Sequence, residues 1–215
     1  MSNTLRITEI FYSLQGEANT VGLPTVFIRL TGCPLRCQYC DTAYAFSGGV
    51  HYDYDQIVTE IRQYSTPHIT VTGGEPLAQP GCIPLLERLC NEGYKVSLET
   101  SGALDVSKVD PRVVKVMDLK TPASGECEKN LYENLQFLDD KDQIKFVICD
   151  EEDYEWCKQT IEQHGLNQTA SEILMSPSKD ELAPQDLAEW ILRDRLNVRF
   201  QLQLHKILWG DKEGV

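Results

Sequence analysis

Hydrophobic and polar positions along the chain switch repeatedly between a period of two and a period of three to four. Ile7–Tyr12 and Thr25–Leu30 are rich in β-branched and aromatic residues and predict strands. A loop follows, running to about Tyr52. Asp53 then offers a cap to a helix over 54–64, whose Ile57, Val58 and Ile61 share one face. His68–Thr72 predicts a strand that stops at Gly73-Gly74. A helix over 83–91 aligns Ile83, Leu86 and the Leu89/Cys90 pair before Gly93 ends it. The alternation continues with strands over 95–99, 113–119, 143–148, 172–175 and 198–204. Helices are predicted over 130–138, 151–164 and 182–192, the first of these only weakly periodic.

Strands separated by helical crossovers predict an α/β fold on a parallel sheet. No linker or low-complexity tract interrupts residues 1–215, so one domain is expected. A closed eight-fold barrel takes about 250 residues. With a shorter chain and several short crossovers, the expectation is an incomplete (βα)6-type partial barrel of about six strands, open on one side. In such sheets chemistry gathers at the carboxyl ends of the strands, where every polar motif of this sequence falls.

Composition narrows the classes. Hydrophobic residues make up 41% and charged ones 25%, which favours a packed chain over a disordered one. No run of about 18 apolar residues is present. Residues 1–5 lack a basic region followed by an apolar one, so neither a membrane span nor an export signal is expected, and the expected compartment is cytoplasmic. A net charge of −13 opposes direct nucleic-acid binding and leaves a small molecule as the expected partner. Eight cysteines without an export signal point to thiols in a reducing compartment. Five of them, Cys82, Cys90, Cys127, Cys149 and Cys157, sit in apolar or helical contexts and read as packing residues. His51, His68 and His164 receive no role.

The other three stand together in Thr31-Gly-Cys-Pro-Leu-Arg-Cys-Gln-Tyr-Cys-Asp-Thr42. Cys33, Cys37 and Cys40, spaced C-x3-C-x2-C, are soft ligands suited to an iron–sulfur cluster, zinc or copper. Structural zinc closes a tetrahedron and an electron-transfer cube takes four thiolates; this set is one short, which leaves one iron of a cube open. A structural metal knuckle is the competing reading. Thr72-Gly-Gly-Glu-Pro76 follows a strand, and its paired glycines let a ligand approach the backbone closely. Glu99-Thr-Ser-Gly102 and Asp118-Leu-Lys120 also end strands, with ordinary strand-end polar clusters as the alternative. Arg29 lies in an otherwise apolar V-F-I-R-L run and needs a partner if its head group is buried; a solvent-facing strand position is the alternative.

The cysteine triad, with Tyr39 before its last member and the T-G-G-E-P segment downstream, resembles the signature of radical S-adenosylmethionine (SAM) enzymes. Within them, Glu9-Ile-Phe-Tyr-Ser-Leu-Gln-Gly-Glu17, Gly22-Leu-Pro-Thr-Val-Phe-Ile-Arg-Leu-Thr-Gly-Cys33 and Cys40-Asp-Thr42 resemble the 7-carboxy-7-deazaguanine synthase family. So do E-T-S-G and Gln203-Leu-His-Lys206. The likeness spans nearly the whole chain, is most specific over residues 1–40, and weakens between about Cys127 and Asn197. Ala18 stands where many relatives have glycine.

The resemblance implies a carbon–nitrogen lyase with a 4Fe–4S cluster on Cys33, Cys37 and Cys40, SAM on the open iron, and Mg2+ on the Thr42 hydroxyl. It implies SAM contacts from Tyr39, Cys40, Asp41, the Gly73-Gly74-Glu75 segment, Glu99, Ser101, Asp118 and Lys120. The implied reaction contracts 6-carboxy-5,6,7,8-tetrahydropterin to 7-carboxy-7-deazaguanine with loss of ammonia, beginning with hydrogen abstraction at C6. It feeds 7-deazapurine pathways such as that to queuosine in tRNA. Leu14, Gln15, Gly16 and Thr72 would read the pterin, and the Arg29 guanidinium its carboxylate. His205, at the end of the final strand, would close the pocket, an ordinary hydrogen-bonded histidine being the alternative. A homodimer and a flavodoxin-like reductant are implied as well. The rival within the superfamily is a glycyl-radical-enzyme activase, which shares the cysteine spacing but not the L-Q-G-E and C-D-T elements.

Overall fold

The computed structural model describes residues 4–210 and 212–215. Met1, Ser2 and Asn3, which enter the expectation about an export signal, lie outside the described residues. The chain opens with β1 (Thr4–Leu14), which pairs antiparallel with β2 (Pro24–Leu30) and with β3 (Val50–Asp53). Then follow α1 (Tyr54–Ile61), β4 (His68–Gly73), α2 (Cys82–Asn91), β5 (Lys95–Thr100) and β6 (Val114–Asp118). The remainder comprises β7 (Gln143–Ile148), α3 (Glu151–His164), β8 (Glu172–Pro177), α4 (Pro184–Asp194), β9 (Arg199–Phe200) and α5 (Leu204–Trp209). One nine-stranded sheet results, ordered β3-β1-β2-β4-β5-β6-β7-β8-β9, and β2 and β4 to β9 run parallel. The parallel α/β architecture agrees with the sequence.

The period of two in the strands decides what faces what. Ile69, Val71, Val96, Leu98, Ile144, Phe146 and Ile148 are buried in the hydrophobic core with Ile57, Ile61, Leu85, Leu89 and Cys157 from the helices. The alternate positions Thr72, Glu99, Asp118 and Lys145 line a cavity on the other face. Local signals fix the crossovers. Asp53 accepts from Gln56 N at 2.8 Å while Gln56 Oε1 accepts from Asp53 N at 2.8 Å, a reciprocal cap that starts α1 as expected. Asp150 caps α3, and Gly165, at φ 59°, ends it.

Four expectations change in detail. Val50–Asp53 is a strand rather than part of the loop. The helix predicted over 54–64 stops at Ile61. Residues 130–138 form a 3-10 turn at Tyr132–Phe137 instead of an α-helix; the buried Asn134 amide binds Gly102 O, Leu104 O and Val106 N, so distant backbone sets its shape. The strand predicted over 198–204 is only Arg199–Phe200 long. Gln201 N still reaches Met175 O at 2.9 Å, but the chain then turns into α5, so His205 lies on a short helix. Among the described residues, no helix is long and apolar enough to cross a membrane.

Candidate active site

At the carboxyl ends of the parallel strands lies a cavity of about 430 Å3. Its lining brings together the residues expected to bind, save one: Cys33, Cys37, Cys40 and Thr42; Tyr39, Asp41, Gly73, Gly74, Glu99, Ser101, Asp118 and Lys120; and Leu14, Gln15, Gly16, Arg29, Thr72 and His205 line it, whereas Glu75, expected to meet SAM, lies behind the wall.

The cysteine loop leaves β2 through Gly32, at φ 101°, and is tied down by Gly32 N donating to Ala45 O at 2.8 Å. Arg36 stacks over Phe46 and donates to Cys33 O at 2.8 Å, bracing the loop from outside. All three thiols are free. Burial pushes the Cys33 thiol up and Cys37 to about 11, with Lys120 acting against the rise at both. A cluster supplies the opposing charge that such thiols need in order to ionise. Among the described residues no three His, Cys, Asp or Glu side chains converge on a point fit for one ion. A cube binds each thiolate to its own iron, so it asks for a common cavity, which these cysteines share.

The T-G-G-E-P segment packs directly on that loop. A Cβ on Gly74 would run into Gly32 O and Cys33 Cβ, so glycine is required there by close approach. Glu75 is fully buried and braces the next strand end: it accepts from Thr100 Oγ1 at 3.0 Å, Ser101 N at 2.7 Å and Ser101 Oγ at 2.5 Å. Its carboxylate therefore positions Ser101. Tyr39 Oη and Asp118 Oδ1 are buried without a protein partner beside the same cavity. Orphaned polar atoms at a rim of thiols and close-packed glycines fit a polar cofactor laid against the cluster loop.

On the opposite wall, Gln15 Nε2 donates to Thr70 Oγ1 at 3.1 Å and Glu99 Oε1 at 3.3 Å, and Thr72 Oγ1 donates to Glu99 Oε2 at 3.0 Å. Burial and the nearby Glu17 raise the Glu99 carboxyl above its ordinary range. Arg29 does find a partner: its Nε meets Glu9 Oε1 at 2.6 Å, and Tyr44 Oη donates to the same oxygen at 2.7 Å. With its side chain only 15% exposed, the solvent-facing alternative falls away. The Thr42 hydroxyl donates to Asp41 at 2.8 Å. Against the cost of desolvation, Lys206 at 3.0 Å and Thr42 hold Asp41 down to about 2.

Two charged residues of this wall were missed by the sequence reading. Glu17 and Lys145 form a largely buried ion pair, with Asp118 3.9 Å from Lys145 and Lys120 3.1 Å from Asp118. Burial disfavours both charges, yet each holds the other ionised, Glu17 lowered and Lys145 raised. Lys145 carried the signal that singled out Arg29, a charge inside an apolar strand run, here Q-I-K-F-V-I. His205 lies against Gly16, where a Cβ would run into Nδ1. Burial lowers its pKa, with Glu17 and Asp41 opposing, which favours the neutral ring.

The profile of the radical SAM superfamily matches residues 27–191. A 7-carboxy-7-deazaguanine synthase of Koribacter versatilis is 44% identical over 95% of this chain and 97% of its own. One of Chlorobaculum tepidum is 45% identical over 98% and 97%. Among solved structures, QueE from Escherichia coli superposes with a TM-score of 0.78 over 95% of this chain and 96% of that one; at 23% identity this likeness bears on the fold.

Proposed function

The chain belongs to the radical SAM superfamily and, within it, to the 7-carboxy-7-deazaguanine synthase family, and we propose the following division of labour within its cavity. The enzyme is a radical SAM lyase that contracts 6-carboxy-5,6,7,8-tetrahydropterin to 7-carboxy-7-deazaguanine with release of ammonia, in 7-deazapurine biosynthesis such as that of queuosine. The observation that carries the assignment of roles is the convergence of three thiols, the T-G-G-E-P backbone and the Gln15–Arg29–His205 wall on one cavity.

Cys33, Cys37 and Cys40 would hold a 4Fe–4S cluster, and Tyr39, Cys40, Asp41, Gly74, Glu99, Ser101, Asp118 and Lys120 would hold SAM. Once bound, cluster and SAM supply homolytic hydrogen abstraction. The protein's own work is placement and exclusion of water. Leu14, Gln15, Gly16 and Thr72 orient the flat pterin, and Arg29 faces its carboxylate with the guanidinium edge that Glu9 leaves open. His205, kept neutral by burial, closes the far side and can accept or donate one hydrogen bond there. The Thr42 hydroxyl would hold Mg2+, a cation that favours oxygen ligands.

The single continuous sheet supports reading the chain as one domain. The exposed apolar side chains Tyr12, Leu23, Ile207 and Leu208, and a groove lined by Tyr12, Pro24 and Trp209, support a homodimer. Eight free thiols support a cytoplasmic setting, where a flavodoxin-like protein supplies the electron. The test is anaerobic reconstitution, iron and sulfide analysis, and turnover with SAM, dithionite and the carboxypterin. Deazapurine and released ammonia are expected together. A loaded cluster that cleaves SAM but yields no deazapurine overturns the substrate assignment.

A further inference from the structure

Residues 16–19, the loop after Gln15, are held from the far side of the sheet. Leu204 N donates to Gly16 O at 2.9 Å, and Gln203 Nε2 donates to Glu17 Oε1 at 2.9 Å. Gln143, the first residue of β7, accepts from Asn19 N at 2.7 Å. The most specific tie is at Ala18. Gln201 Oε1 accepts from Ala18 N at 2.9 Å while Gln201 Nε2 donates to Ala18 O at 2.9 Å, a buried two-bond amide clasp across 183 residues of sequence.

Ala18 stands at φ 63°, in the left-handed region where an L side chain stays only if its surroundings hold it. Relaxing that residue would swing its N–H and C=O and break both bonds to Gln201. The loop so fixed starts from Gln15, whose amide meets Thr70 and Glu99, and includes Gly16, which lies against the His205 ring. Neither Gln201 nor Gln143 lines the cavity, so both act through the loop.

We propose that Gln201 is a positioning residue for the pterin: its clasp on Ala18 compensates for an alanine in a glycine conformation and sets Gln15, Gly16 and His205 in register around the bound ring. This rests on the reading of the cavity as the carboxypterin site. The Gln201 amide never touches substrate, so its loss weakens substrate binding more than it slows the reaction once bound.

The test is steady-state turnover of cluster-loaded enzyme with SAM, dithionite and varied 6-carboxy-5,6,7,8-tetrahydropterin. Gln201→Met keeps length and removes both bonds; its KM for the pterin rises about tenfold while kcat stays within about twofold. Iron content and the SAM-dependent change in the cluster spectrum match wild type. Adding Ala18→Gly returns KM to within about threefold of wild type, because glycine adopts this φ without the strain that the clasp offsets. A general packing defect would instead lower cluster content and would not respond to glycine. Should Gln201→Met not accumulate as folded protein, Gln201→Asn, one methylene too short for the clasp, is read in the same two ways. An unmoved KM, or a raised KM that Ala18→Gly does not lower, overturns the clasp alone. A wild-type enzyme that makes no deazapurine overturns the site assignment, and the clasp with it.

Discussion

Lys115 and Lys145 stand on neighbouring parallel strands, and each is matched by a buried carboxylate, yet the two pairs serve different ends. Lys115, near the start of β6, meets Asp142 at 2.7 Å with both side chains almost wholly buried. Asp142 also accepts from Lys115 N at 2.8 Å and Asp139 N at 3.1 Å, so each of its oxygens takes a backbone donor. Lys145 stands level with Asp118, the last residue of β6, and shares Glu17 and Asp118 on the cavity wall. A carboxylate filled by backbone donors ties strands together. One left open beside a second carboxylate gives a site whose charge a ligand feels.

The largest effect expected lies at the cavity end. Cys33→Ala loses cluster and activity together, by at least about a thousandfold (about 4 kcal/mol); full turnover with less iron would remove the cysteine from the ligand set. The comparison itself is broken or kept by a matched pair. Lys115→Met is expected to cost about 3–5 kcal/mol in urea unfolding, because it strands a buried carboxylate, while kcat per loaded cluster stays at wild type. Lys145→Met is expected to lower turnover about a hundredfold (about 2.7 kcal/mol) in protein that still binds SAM. A Lys115→Met enzyme that folds with impaired kcat would erase the distinction.

Glu17 has its pKa lowered from 4.5, so its contribution is present above that value and is lost as pH falls through the lower, folded one. Wild type should therefore lose stability more steeply than Glu17→Gln on acidification below about pH 4.5, as urea midpoints across that range would register. Equal slopes would mean the pair is not formed in solution. The smallest effect belongs to neither pair: Asp53→Ala removes the cap of α1, costs about 1 kcal/mol, and leaves the kinetics alone.

Legibility followed the range of the interactions. The C-x3-C-x2-C and T-G-G-E-P elements and the strands of the core declare themselves over a few residues, as does the Asp53 cap. Val50–Asp53 did not, since four mostly exposed residues carry little periodicity and owe their strand to pairing with β1. The 3-10 turn at Tyr132–Phe137 answers to Asn134 bonds with the 102–106 segment. Glu17 and Gln201 received no role of their own because their partners lie far along the chain, and no local pattern reports such a tie. His205 was placed in the cavity on its motif, but on a strand that in fact ends at Phe200.

The amide clasp has a consequence for how the molecule is made. The ribosome delivers Ala18 long before Gln201, and joining groups so far apart waits on the closure of everything between them. The cysteine loop and the glycine pair that packs on it emerge early and are neighbours in order of synthesis. The wall that Gln15 and His205 share is held in place only when residues 201–204 meet residues 16–18, so it waits on the far end of the chain.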